Sequence, residues 1–440
     1  MSSFDLGLIS FPILMVFLFL RMPIGIAMFT VGFVGNWIVM GTPLAILNQL
    51  KSLTVTTFSS YSLSIVPLFL LMGQFATISG MSAALFKSAE QWLGHRKGGV
   101  GMAAIGACAG FGAICGSSMA TAATMGQVAL PELRKYGYAN GLAAGTLAAG
   151  GTLGVLIPPS VVLVIYAILA EQNIAKLFVA AFIPGLMAAA GYMIAIAIYV
   201  RLYPDSATRG PRANYVDRLR GLGPVLPVIA VFVVVVGGIY AGIFTPTEAA
   251  SVGAAATALL AVINGTLSFR ALRTSLEATA KSTAMIFMIV IGASVFNNFL
   301  SLAQVPQNVA DYAVTLAVSP WLILVVVLLL YLIFGCLMDS LSMILLTIPI
   351  IYPALSQLDF GLQGDDFGLW FGILVLVVVE VGLITPPVGL NLFVIKSMSK
   401  EITLRETFIG VTPFVISDIL RVVLLTALPF LSLWLVHLIY

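Results

Sequence analysis

Two stretches, GTLGVLIPPSVVLV (Gly151 to Val164) and VEVGLITPPVGLNL (Val379 to Leu392), each set a proline pair behind a glycine in the middle of an apolar run. Pro158-Pro159 corresponds to Pro386-Pro387 at an offset of 386 − 158 = 228 residues, and Gly154 corresponds to Gly382 at the same offset. Proline has no amide hydrogen and its ring clashes with the preceding turn, so each pair interrupts a helix and frees backbone polar groups. The end of a helix presents free carbonyls and partial negative charge; the start of the next presents free amides and partial positive charge. Carbonyls and hydroxyls suit a hard cation such as sodium, whereas amides and hydroxyls suit a carboxylate.

Two further apolar segments are broken by polar or small residues. Gly98 to Leu130 breaks near Cys115-Gly116-Ser117-Ser118, and Trp321 to Leu355 breaks near Asp339-Ser340. The first tip supplies Gly116, Ser117 and Ser118, facing Gly150, Gly151, Thr152 and Gly154 of the first proline break. The second supplies Asp339, Ser340 and Ser342, facing Glu380, Gly382, Thr385, Gly389 and Asn391 of the second. The spacings Gly112/Gly116 and Gly150/Gly154 also fit tight helix packing alone. An acid at membrane depth costs about 2.5–3.5 kcal/mol on insertion scales, which makes Asp339 and Glu380 candidates for cation binding or proton coupling. Asp339 reads first as the N-cap of the arm that follows it, with cation binding the alternative. Asp418 and Arg421, spaced i,i+3, read as a buried structural pair, with anion binding by Arg421 the alternative.

The elements that must hold these groups are transmembrane. The chain has 440 residues, of which 60% are hydrophobic and 8% charged, against about 25% charged in soluble domains. Mean hydropathy is +1.12. Spans are expected over about 5–20, 24–40, 60–79, 140–170, 175–201, 222–242, 246–264, 282–301, 370–396 and 405–437. The arms of the two tip segments are shorter than a full span, which favours re-entrant hairpins at about 98–130 and 321–355. More polar helices over about 42–58 and 267–281 are expected to lie in the interface.

Charge placement agrees with this reading. With the loop Arg201 to Arg220 in the cytoplasm, Arg21, Arg96, Lys97, Arg134, Lys135, Arg270, Arg273, Lys281, Lys396, Lys400 and Arg405 share its side. Asp311, Asp359, Asp365 and Asp366 fall opposite, where only Lys51 and Lys176 are basic. Each half then has an odd number of spans, so the halves are inverted repeats: 1–203, a cytoplasmic linker 204–221, and 222–440. Paired helix interruptions in two such halves mark the binding site of a secondary transporter. Phe111-Gly112, Ser117 and Thr124 match Phe334-Gly335, Ser340 and Thr347 at an offset of 334 − 111 = 223, as Pro23 matches Pro246. Thr245-Pro246-Thr247-Glu248 reads as a capping box. Cys108, Cys115 and Cys336 read as small core residues. No P-loop, HExxH, GxSxG or nucleophile–base set is present, so neither an enzyme nor an ATPase is expected. The net charge of +3 says little by itself, and no nucleic-acid partner is expected.

The runs GFGAICGSSMATAATMGQVALPEL, GTLGVLIPPS, GIFTPTEAA and GLITPPVGLNLF resemble the large membrane subunit of tripartite ATP-independent periplasmic (TRAP) transporters, along essentially the whole chain. The resemblance implies an all-α polytopic fold with an elevator-type transport domain, in the bacterial inner membrane. It implies sodium-coupled import of an organic acid, often a C4-dicarboxylate or sialic acid, together with a soluble periplasmic binding protein and a small four-helix membrane subunit. The early start of the first span makes that small subunit a separate chain by expectation. Carried onto matching positions, one sodium site falls at Gly116, Ser117, Gly151 and Gly154. A second falls at Asp339, Ser340, Glu380, Gly382 and Thr385. Substrate would lie between them, near Ser117, Ser118, Thr152, Pro158, Ser340, Thr385 and Asn391. Leu341 stands where the first tip has Ser118, so the two sodium sites should differ. A stand-alone divalent anion/sodium symporter, a sodium/proton antiporter and an ungated channel are the competing readings.

Overall fold

The computed structural model describes residues 2–308, 319–399 and 401–440, and its regular structure is helical throughout. Asp311 and Lys400, both used in the charge count, lie outside the described residues. Among the described residues, 5 helices are long and apolar enough to cross a membrane, or up to 7 if each sharply bent pair is one span. Ser3–Phe19 and Ile24–Met40 have 17 residues each, at the short end for a span.

One group of helices is built around glycine contacts between Ile24–Met40 and Phe269–Leu302. A Cβ on Gly32 would stand 2.6 Å from the Phe296 backbone, and one on Gly25 would stand 2.9 Å from Ile289 N, so the two backbones touch. Asn36 donates to Val295 O at 3.0 Å, and Asn298 donates to Asn36 Oδ1 at 3.0 Å and Gln49 Oε1 at 2.7 Å. That amide chain fastens Leu44–Phe58 to the group. Ile65–Ile78 and Pro246–Ile263 complete it. The expected capping box starts Pro246–Ile263: Thr245 N donates to Glu248 Oε2 at 2.8 Å, and Glu248 N to Thr245 Oγ1 at 3.3 Å.

The second group surrounds Asn140–Leu156. Gly99–Cys115 runs parallel to it, with Gly112 against Gly154 and Cys108 against Gly150. Ser118–Lys135 runs back, with Thr121 against Gly154 and Ala122 against Gly151. The two arms therefore form a helical hairpin. Pro320–Gly335 runs along Asp366–Gly382 in the same manner, whereas the return arm Ser340–Leu355 packs more on Val161–Leu169 and Phe269–Leu302. Trp321 meets Trp370 edge to face and Gly335 meets Gly382, while Ser340 at the start of the return arm bonds Glu380. Leu404–Ala427 closes the group, with Gly410 packed on Gly141. The three cysteines are buried and free.

Several elements differ from expectation. The stretch 267–281 is not a separate interfacial helix; it opens the continuous helix Phe269–Leu302, because no glycine or proline breaks the chain between them except the packed Gly292. Its counterpart Leu44–Phe58 is separate, set off by Gly41 at φ 70° and bent by 57° from the helix that follows. Pro429 divides the last expected span into Leu404–Ala427 and Phe430–Ile439. Met81–Leu93, Tyr215–Leu222 and the proline-broken end Leu390–Ser397 are helices in their own right. The linker is docked. Ala139 N donates to Ser206 O, Thr208 N to Tyr136 O, and Gly210 N to Gly94 O, at 2.9, 3.1 and 2.9 Å. Lys176, expected on the acidic side, pairs with Asp365 at 3.2 Å.

Candidate functional site

The first tip is two residues long. Gly116 ends Gly99–Cys115 at φ 65°, a left-handed conformation that glycine adopts without a Cβ clash. Ser117 begins Ser118–Lys135, its hydroxyl accepting from Ala120 N. The facing helix Asn140–Leu156 stops before Pro158-Pro159, and the chain restarts at Val161, bent by 45°, with Ser160 as N-cap. Every residue from Leu142 to Ala167 is buried. Gly154 is enclosed by Thr121 and the Ser117 carbonyl, so any side chain there would collide with the tip. Thr121 is fully buried and its hydroxyl makes no hydrogen bond.

The second tip contains a longer turn, Cys336 to Met338, before Asp339. Asp339 caps the return arm, accepting from Ser342 N at 3.1 Å, which bears out its reading as an N-cap. Glu380 is fully buried. Ser340 Oγ donates to Glu380 Oε1 at 2.6 Å, while Oε2 completes no hydrogen bond. The Ser118 hydroxyl of the first tip sits beside the same carboxylate. That hydroxyl accepts from Asn391 Nδ2 at 2.8 Å, and the same amide reaches Ala148 O at 3.2 Å. Asn391 thus joins the restart of the second broken helix to the first tip and to the first broken helix.

One cavity of about 180 Å3 is lined by both tips: Gly116, Ser117 and Ser118 from one, Asp339, Ser340 and Leu341 from the other. Helix Phe269–Leu302 contributes Ser282 and Met285. Asp339 also borders a larger cavity, about 600 Å3, against Pro23, Gly25 and Met288.

Not every expected site residue reaches this cavity. Thr152 turns away: its hydroxyl meets Ala149 O at 2.7 Å and Tyr192 OH at 2.9 Å. Tyr192 in turn donates to Asp418 Oδ2 at 2.8 Å, and Arg421 pairs with Asp418 at 2.8 Å, the buried structural pair expected from their spacing. Pro158 is buried within its break. The Thr385 hydroxyl, in the break, donates back to Val381 O at 2.6 Å in the helix that precedes it. Gly151 packs on Ala122 and the Ser118 carbonyl, and Gly382 on the backbone of Gly335. Thr121 and Ser160 went unnoticed in the sequence. Thr121 carried a signal, since it lies four residues beyond Ser117 on one helix face; Ser160, in the proline turn, carried the N-cap pattern.

A model of the tripartite ATP-independent periplasmic transporter DctM component matches residues 11–431. The chain is 36% identical over 394 residues to the C4-dicarboxylate TRAP transporter large permease protein DctM of Pseudomonas aeruginosa, covering 88% of this chain and 89% of that protein. It is 30% identical over 391 residues to the isethionate TRAP transporter permease protein DctMQ of Oleidesulfovibrio alaskensis, covering 84% of this chain and 60% of that one. Its fold is similar to the Alcanivorax borkumensis YdaH transporter, with a TM-score of 0.57 at 15% identity over 87% of this chain and 89% of that chain.

Proposed function

The chain belongs to the DctM component family of tripartite ATP-independent periplasmic transporters, a multi-pass large permease of the bacterial inner membrane and not an enzyme; from this premise we propose that it imports a C4-dicarboxylate or similar organic acid, driven by sodium. The observation that carries the proposal is the meeting of both tips in one cavity. There, helix ends, serine hydroxyls and the half-buried Asp339 carboxylate converge without a lysine or arginine among the lining residues, and the lining Ser340 bonds the buried Glu380 behind it. Sodium ions would supply the positive charge that a dicarboxylate needs. The buried oxygens of Thr121 and Glu380, with no partner at good hydrogen-bond geometry for Thr121 Oγ1 or Glu380 Oε2, support this, because an under-satisfied buried oxygen costs about 1–3 kcal/mol and a hard cation satisfies it.

One sodium would lie at the Ser117 carbonyl, Thr121 and Gly154, and the second at Ser340 and Glu380. The like packing of Gly112 on Gly154 and Gly335 on Gly382 supports an inverted-repeat origin. The two hairpins and broken helices would move together as an elevator against the group built on Ile24–Met40 and Phe269–Leu302. Large permeases of this family work with a substrate-binding protein and a small membrane subunit.

The test is reconstitution of the chain with its small subunit in liposomes, followed by labelled succinate uptake under an inward sodium gradient. Uptake that needs both sodium and the binding protein is expected. Sodium-driven uptake without a binding protein would indicate a stand-alone symporter, and proton flux without organic substrate an antiporter.

A further inference from the structure

A second polar cavity, about 480 Å3, opens between Met81–Leu93 and Tyr215–Leu222 and shares no lining residue with the tip cavity. Its charged lining is Lys87 from one helix, and Arg220 and Asp217 from the other, with Gln91 between them. None of these three charged groups forms an ion pair among the described residues. Two cations against one acid leave the cleft positive. Its surroundings add to this: partial burial, then Arg218, Arg212 and Arg96, hold the His95 imidazole below its usual range.

Arg218 is turned away from the cleft. It is buried, its guanidinium 5.8 Å from the Trp92 ring and 5.1 Å from the Tyr215 ring, and so fastens the short helix in place. Tyr215–Leu222 is also the beginning of the apolar stretch Tyr215–Tyr240, long enough to cross a membrane. The cleft therefore lies at one end of a span, at the depth of lipid headgroups. Tyr215, Val216, Leu219 and Leu226 are exposed beside it, an apolar face next to a basic one.

We propose that this cleft binds the phosphate of an anionic phospholipid, with Lys87 and Arg220 contacting the phosphate oxygens and the exposed face of Tyr215 to Leu226 taking the acyl chains. Free inorganic phosphate offers the same headgroup chemistry but leaves the apolar face without a role. The helix begins five residues after the docked stretch at 206–210, which bonds to Tyr136, Ala139 and Gly94. A lipid seated here would hold the segment joining the two halves against the membrane. The inference is independent of sodium coupling and of the transported substrate.

Native mass spectrometry of the full chain, with added phosphatidylglycerol, phosphatidylcholine or inorganic phosphate, tests it. A phosphatidylglycerol adduct is expected that phosphatidylcholine does not displace. It should weaken about tenfold or more in Lys87→Gln/Arg220→Gln and persist in Lys87→Arg. Lys87→Gln alone, at an exposed position, serves if the double variant fails to fold. Equal competition by inorganic phosphate would overturn the lipid source while keeping the anion site. Undiminished phosphatidylglycerol binding in the charge-neutral variants, or equal binding of phosphatidylcholine, would overturn the cleft as the site.

Discussion

The two tips are built to one plan and finished differently. The first is enclosed: its incoming arm Gly99–Cys115 is largely buried, and its facing break is buried from Leu142 to Ala167. The second is open on one side, where Pro386 and Pro387 are exposed and Leu322, Val325, Leu329 and Ile333 of its incoming arm face outward. Composition explains the contrast. Gly99–Cys115 is rich in glycine and alanine, which let backbones approach from all sides, whereas Pro320–Gly335 is rich in leucine and valine, which pack on one face and meet lipid on the other. The chemistry differs in step. The first tip offers only neutral oxygens, from Ser117, Ser118 and Thr121. The second adds the Glu380 carboxylate, which the Ser118 hydroxyl also approaches. Two similar backbone frames thus give one tip with only neutral oxygens and one with a carboxylate, joined by Asn391, and the two proposed cation sites would differ in charge accordingly.

The hardest blow to this comparison should be Gly154→Leu. A Cβ there would already lie 2.7 Å from the Ser117 carbonyl, and the rest of the side chain has no room. Sodium-driven uptake should fall to background while the chain still inserts, as read by uptake beside membrane content on a blot; normal uptake would remove Gly154 from the site. A smaller but sharper result comes from Glu380→Gln and Thr121→Val measured side by side. Losing the charge should raise the sodium concentration for half-maximal uptake about tenfold to a hundredfold, and losing the neutral hydroxyl about fivefold, in line with about 1.5–3 against 0.5–1.5 kcal/mol for charged and neutral partners. Equal shifts would mean that the two sites do not differ in charge. The smallest effect is expected from Asp339→Asn, since asparagine caps a helix about as well as aspartate. Sodium affinity and melting temperature should stay near those of the parent chain. A tenfold loss of sodium affinity would move Asp339 from cap to ligand.

Much of this was legible in residue order. The proline pairs, the Gly116-Ser117 tip, the Thr245/Glu248 capping box and the Asp418/Arg421 pair were each visible as local patterns, because a helix start or stop is set by the few residues around it. The errors fell where local pattern is silent. The helix Phe269–Leu302 continues through a polar stretch because nothing local stops it. Thr152 and Thr385 sit at the expected positions along the chain, yet their hydroxyls are used by Tyr192 and Val381.

By itself, the sequence determined where each helix breaks, which oxygens and amides the breaks release, and that the carrier of these breaks lies in a membrane. Those follow from proline geometry, from capping and from hydropathy, which act over one turn or one span. Only the tertiary structure decided which released groups face one another. It brought Ser118, Ser340, Glu380 and Asn391 together from distant parts of the chain and turned Thr152 away. The physical reason is that the direction of a side chain depends on how whole helices pack. That packing is fixed by close contacts such as Gly112 on Gly154 and Gly335 on Gly382, whose partners no local pattern names.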